Sequence, residues 1–262
     1  MLETAVSRRR ARVRRTASLV LALGVSACAT TRPQAPASAS TEPVKRALFI
    51  GNSYLYHGDI PGIVQALADS AGGERLLTES VTAPDFALVD HWFRGASGAA
   101  RRNISRGGWD WVVLQQGPSS IQINRDSLRM MAKRYAELIT RNKGRPALFS
   151  AWPSQDRWTD FARAIESYRL AAQEANALLL PVAAAWLAVW ERNRSVLLYH
   201  DGLHPSDAGS YLSALVVYST LLGKSPRGLP NRLRLASGSA IEINPELARL
   251  LQDAAAQVTD AP

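Results

Sequence analysis

Two short stretches, far apart in the chain, hold residue types that can do acyl chemistry together. The first is Phe49-Ile50-Gly51-Asn52-Ser53-Tyr54, in which a serine follows an apolar run. Backbone N–H groups at a strand-to-helix turn favour developing negative charge. A serine there is placed to act as a nucleophile, and its own N–H to help hold an oxyanion. The second is Asp201-Gly202-Leu203-His204-Pro205-Ser206. A carboxylate three residues ahead of an imidazole in a tight turn reaches Nδ1, fixes the tautomer and leaves Nε2 free to take a proton. Pro205 biases His204 towards an extended backbone, and Ser206 is suited to cap a following helix. Taken singly, each stretch also reads as ordinary turn and cap chemistry.

The elements that must position these residues follow from apolar patterning. Runs at 46–51 (RALFIG), 76–81, 111–115 (WVVLQ), 146–152 (PALFSAW) and 178–182 (LLLPV) read as strands. All but the second are almost continuously hydrophobic, as strands covered on both faces are. Helical patterns lie between and after them, at 60–70, 87–105, 125–142, 158–177, 206–222 and 245–258, and the Pro/Gly-rich stretch 224–244 has no clear pattern. Alternating strand and helix predicts a three-layer α/β/α sandwich with a five-stranded parallel sheet. In such open sheets, sites form outside the carboxyl ends of the strands. A Gly-x-Ser-x-Gly elbow is absent, which disfavours the ordinary α/β-hydrolase arrangement.

Gly-Asn-Ser after the first strand, with Asp-x-x-His-Pro-Ser ahead of a late helix, resembles the SGNH (GDSL-like) hydrolase family over roughly residues 46–222. The resemblance implies a flavodoxin-like fold, with Ser53 as nucleophile, His204 as general base and Asp201 as its orienting carboxylate. Asn52 replaces the usual Asp of Gly-Asp-Ser. The family takes oxyanion donors from a glycine after the second strand and an Asn after the third. Here the second loop reads Val81-Thr82-Ala83-Pro84-Asp85-Phe86-Ala87-Leu88 and the third Leu114-Gln115-Gln116-Gly117-Pro118-Ser119-Ser120, with Ser119 where Asn is expected. The blocks resemble a divergent subgroup with Gln-rich third blocks and a Leu-x-x-His after the second strand, matched by Leu88 and His91. Backbone N–H groups of Asp85 or Phe86 can serve as donors. The expectation is that the Ser53 N–H and a side-chain amide of Gln115 or Gln116 form the hole.

Other residues carry weaker signals. His57, four residues beyond Ser53, is expected at the surface or on a pocket rim, and His91 as a structural histidine within a helix. His200-x-x-x-His204 has no third ligand, so neither a metal nor any other cofactor is expected. Trp152 and Trp158 flank the loop after the fourth strand, where an aromatic can stack on a sugar, though most Trp are core. Arg101, Arg102 and Arg106 suit a helix C-terminus and need no ligand.

The 262 residues carry a formal charge of +9, and 47% are hydrophobic, which excludes wholesale disorder. Residues 1–27 hold six Arg and one Glu, leaving +4 for the rest, so the charge is weak evidence for nucleic-acid binding and none is expected. The basic stretch, a short apolar run from 17 to 27 and Val25-Ser26-Ala27-Cys28 resemble a lipoprotein signal with its lipobox. Cys28, the one cysteine, is then the lipidated residue, and Ala29 after it points to the outer membrane. Residues 28–45 are rich in Pro, Ala, Ser and Thr and read as a tether holding the domain about 20–25 Å from its anchor. The expected organisation is a signal over 1–27, the tether, and one domain over 46–262. The expected function is serine ester hydrolysis at the bacterial cell envelope, facing the periplasm, on an acylated glycan or another short-chain ester. The rival is a non-catalytic lipoprotein that binds glycan or a protein through the same pocket.

Overall fold

A computed structural model describes residues 44–260. Cys28, the signal 1–27 and most of the tether lie outside the described residues. Five parallel strands form the main sheet: β1 (Val44–Gly51), β2 (Arg75–Thr82), β3 (Trp111–Leu114), β4 (Arg145–Phe149) and β5 (Leu178–Leu180), in the order β2-β1-β3-β4-β5. The three inner strands carry the apolar runs, with Ala47 to Ile50, Val112 to Leu114 and Ala147 to Phe149 all buried. β2 lies at an edge and shows an exposed, mixed face, which explains its weaker hydrophobic run. Register aligns Ile50 with Val81 on one side and Leu114 on the other, so the loops after β1, β2 and β3 emerge side by side. The expected three-layer arrangement and five-stranded parallel sheet are present.

The helices around it are α1 (Ser53–Tyr56), α2 (Ile60–Ala71), α3 (Leu88–Phe93), α4 (Ala99–Arg106), α5 (Gln122–Arg141), α6 (Phe161–Ala175), α7 (Val182–Arg192), α8 (Asp207–Leu222) and α9 (Pro245–Thr259). Local chemistry sets their ends: the Asp59 carboxylate accepts from Gly62 N–H at 3.1 Å at the start of α2, with Pro61 in its first turn. The single helix expected over 87–105 is instead two. The N–H groups of Arg94 and Gly95 both fold back to Asp90 O and end α3, and Gly98 then takes a left-handed φ of 78° before α4. Helix α7 was not anticipated. It starts at Val182, the last residue of the run expected to be strand, and continues over 183–192, where no element was expected. The unplaced 224–244 stretch contains an antiparallel pair, β6 (Arg232–Arg234) with β7 (Ala240–Glu242). Among the described residues, no helix is long and apolar enough to cross a membrane.

Candidate active site

Close approach of β1 and β3 builds the serine turn. A Cβ on Gly51 would lie 2.2 Å from Gln115 Oε1 and 2.7 Å from Leu55 Cδ1, so only glycine fits. Asn52 caps α1, its Oδ1 accepting from Tyr54 N–H at 3.2 Å. Its own backbone N–H donates to Gln115 Oε1 at 2.8 Å, and Gln115 Nε2 donates back to Asn52 Oδ1 at 3.1 Å. Asn52 Nδ2 donates to Phe86 O at 2.9 Å, which ties in the loop after β2. Ser53 is thus the first residue of a helix fastened to two neighbouring loops. It is 7% exposed, and among the described residues neither its N–H nor its Oγ makes a hydrogen bond.

A short hairpin ahead of α8 carries Asp201 and His204. Tyr199 and Pro205 form an antiparallel bridge, His200 N–H donates to His204 O at 2.8 Å, and Ser206 N–H donates to Leu198 O at 2.8 Å. At the tip, Asp201 Oδ1 accepts from the N–H groups of Leu203 (3.0 Å) and His204 (2.7 Å), while Oδ2 accepts from His204 Nδ1 at 2.7 Å. The imidazole bond, followed by the two backbone donors, holds the Asp201 carboxyl well below the usual carboxylate range. Ser206 caps α8 by accepting from Gly209 N–H. Gly209 is required, since a Cβ there would lie 2.3 Å from Leu198 O.

The loop after β4 clamps this hairpin. Trp152 Nε1 donates to Leu203 O at 3.0 Å, Tyr199 OH to Pro153 O at 2.6 Å, and Gln155 N–H to Gly202 O at 2.8 Å. Trp152 stacks on Trp186 of α7 at 3.9 Å, and its ring centroid lies 5.0 Å from that of Tyr54, beside Ser53. The His204 ring lies beside the serine turn, its centroid 6.4 Å from that of Tyr54 and 3.8 Å from that of His57. Among the described residues no hydrogen bond joins Ser53 Oγ to His204, whose Nε2 is likewise without a partner.

The candidate oxyanion residues divide. Gln115 is fully buried, and its amide N–H groups go to Asn52 Oδ1 and Gln116 O (2.7 Å). Gln116 accepts from Leu88 N–H and donates to Ser119 Oγ (2.8 Å) and Asn124 O (3.4 Å). The expectation of a glutamine donor therefore needs correction: both amides are engaged in fastening loops. Ser119, at φ 56°, is buried and donates to Gly117 O. Asp85 is exposed with φ 58°, a left-handed conformation at the place where a glycine was expected. Its N–H makes no hydrogen bond among the described residues, and that of Phe86 makes only a long one to Ala83 O (3.5 Å). His91 is buried and donates from Nε2 to Gly51 O at 2.8 Å, and burial depresses its basicity. His57 stacks on His204, a contact that only its spacing from Ser53 hinted at. Among the described residues no group of three or more His, Cys, Asp or Glu gathers as for a metal.

The fold superposes on known structures over most of the described chain. A DUF4886 family protein from Bacteroides uniformis superposes with a TM-score of 0.68 at 15% identity, covering 83% of this chain and 96% of that one. A protein from Slackia heliotrinireducens, assigned as an SGNH hydrolase, superposes with a TM-score of 0.56 at 24% identity, covering 68% and 99%. The fold is that of the SGNH hydrolases. A G-D-S-L family protein from Desulfitobacterium hafniense, assigned as lipolytic, shares the SGNH fold at a TM-score of 0.50 and 15% identity, over 67% and 99%. No family model matches the sequence, and no curated protein matches it significantly.

Proposed function

We propose that the chain is a serine ester hydrolase. The observation that carries this reading is the Asp201–His204 pair, held at 2.7 Å and clamped over the turn that bears Ser53. Ser53 Oγ attacks the ester carbonyl carbon as His204 Nε2 takes its proton. The tetrahedral oxyanion meets the Ser53 N–H and a backbone N–H of the Asp85–Phe86 loop. Collapse breaks the bond to the alcohol oxygen, which leaves with the proton from His204. Water, deprotonated by the same nitrogen, then releases the acid and restores the serine. Asp201 stays ionised and stabilises the imidazolium.

The substrate class is an acylated carbohydrate or another short-chain ester, and lipidation at Cys28 places the enzyme at the cell envelope. A site that binds glycan or protein without turnover is the second reading, supported by the missing Ser53–His204 bond. Hydrolysis of p-nitrophenyl acetate by the chain, beside Ser53→Ala, separates the two. Turnover abolished in the variant supports the hydrolase. Absence of both turnover and fluorophosphonate labelling of Ser53 overturns it. Palmitate incorporation lost in Cys28→Ser tests the anchor.

A further inference from the structure

Asp201 alone leaves the base underdetermined. One hydrogen bond at Nδ1 fixes an edge of the imidazole but lets the ring swing about that edge, carrying Nε2 away from the serine. A flat partner on the ring face removes that freedom. His57 supplies one: its ring lies parallel to that of His204, with centroids 3.8 Å apart and planes 16° from parallel. The neighbouring Tyr56 ring also lies near that of His57, with centroids 5.8 Å apart and planes 26° from parallel.

We propose that His57 is a positioning residue for His204, a stacked platform that sets the plane of the base relative to the nucleophile. The proposal rests on the Ser53–His204–Asp201 reading above. His57 is attached to the serine as well as to the base. Its backbone N–H donates to Ser53 O at 3.0 Å, closing the single turn that begins at the nucleophile. The turn that follows is fixed from behind. A Cβ on Gly58 would lie 1.8 Å from Ser210 Oγ and 3.6 Å from Pro205 Cγ, so the chain at 57–58 lies flat against α8 and against the residue after His204. Ser210 is 1% exposed and its hydroxyl has no partner, so packing and not a polar bond sets this approach. Residues 57–58 and 204–205 thus run against each other. His57 itself is exposed, so its ring is not needed to fill the core. An aromatic pair of this kind biases ring orientation by roughly two- to ten-fold.

The test compares His57→Ala, His57→Phe and Gly58→Ala in the full chain. Two readouts are used: p-nitrophenyl acetate kinetics, and the low-field proton resonance of the His204 Nδ1–H that bonds Asp201. His57→Ala is expected to lower kcat about ten-fold with KM within about two-fold, since small misplacements of a catalytic group are costly. His57→Phe, which keeps a flat face and loses both ring nitrogens, restores kcat to within about three-fold of wild type. Gly58→Ala shares the loss by pushing the turn off Ser210. The Nδ1 proton is sharp in wild type and His57→Phe and broadened in His57→Ala. An Ala variant with unchanged kcat and a sharp proton overturns the proposal, as does a Phe variant as impaired as Ala. If wild type and Ser53→Ala hydrolyse equally, the hydrolase reading fails, and the proton signal still decides the stack.

Discussion

Asn52 and Gln115 hold each other by two hydrogen bonds running in opposite directions, one from a backbone N–H and one from a side-chain amide, across the seam between β1 and β3. The pair fixes where α1 begins and therefore where Ser53 stands. Gln115→Leu keeps most of the volume but leaves the buried polar groups of Asn52 unpaired. It is expected to cost about 1–3 kcal/mol of stability in urea titrations. A turn displaced by about 1 Å would also lower kcat by about 10²-fold. A variant with unchanged kcat would show that the pair does not place the nucleophile.

Asp201→Asn replaces the acceptor that Nδ1 needs with an amide able to donate, which selects the wrong imidazole tautomer. A loss of about 10⁴ in kcat is expected with the melting temperature within about 3 °C, because the side chain lies at an exposed tip. Its depressed carboxyl stays ionised through neutral and mildly acid pH. The stabilisation from its pairing is complete above about pH 4 and is lost as pH falls below that. Any acid limb of kcat/KM between pH 5 and 8 therefore belongs to another group, and a pH–rate profile checks this.

His91 is held neutral by burial, so the folded protein binds its proton less readily than the unfolded chain. Stability is complete above about pH 6.5 and falls as pH drops below it, because the unfolded state then takes up the proton. Melting curves should show wild type losing more stability between pH 7.5 and pH 5 than His91→Gln does. Equal losses would mean that the buried imidazole is protonated without penalty.

Asp85 has φ 58°, in the left-handed region that glycine enters freely and Asp tolerates better than most L-residues. Asp85→Gly should stabilise the chain or leave it unchanged and keep kcat within about two-fold, because only the backbone of this loop is assigned a role. Asp85→Val should be destabilised and slow. A large loss of kcat in Asp85→Gly would assign the carboxylate a role of its own.

What could be read from the sequence was what is local. The inner strands showed themselves as apolar runs because both faces are covered, and Asp201 and His204 are only three residues apart. The glutamines were visible as amides, but not the partners that engage them: Asn52 is 63 residues from Gln115, and β1–β3 pairing brings them together. Helix α7 was hidden because its Ala/Trp-rich face is apolar almost all round, and no period separates it from a buried strand. The His57 stack joins segments 147 residues apart (His57 to His204), and its one local trace was the four-residue spacing of His57 from Ser53.

The clamp on the histidine hairpin has an optical consequence. Trp152 and Trp186 lie 3.9 Å apart and 12° from parallel, Trp186 meets Trp190 at 5.6 Å, and Tyr199 of the hairpin stands edge-on to Trp186 at 5.0 Å. Indoles this close couple their excited states, so the cluster is expected to contribute strongly to the near-ultraviolet circular dichroism of the protein. Because Trp152 also holds Leu203 O, seating or release of the hairpin is written into that spectrum. A change in that spectrum on substituting Leu203 or Trp152 would report displacement of the hairpin that bears His204.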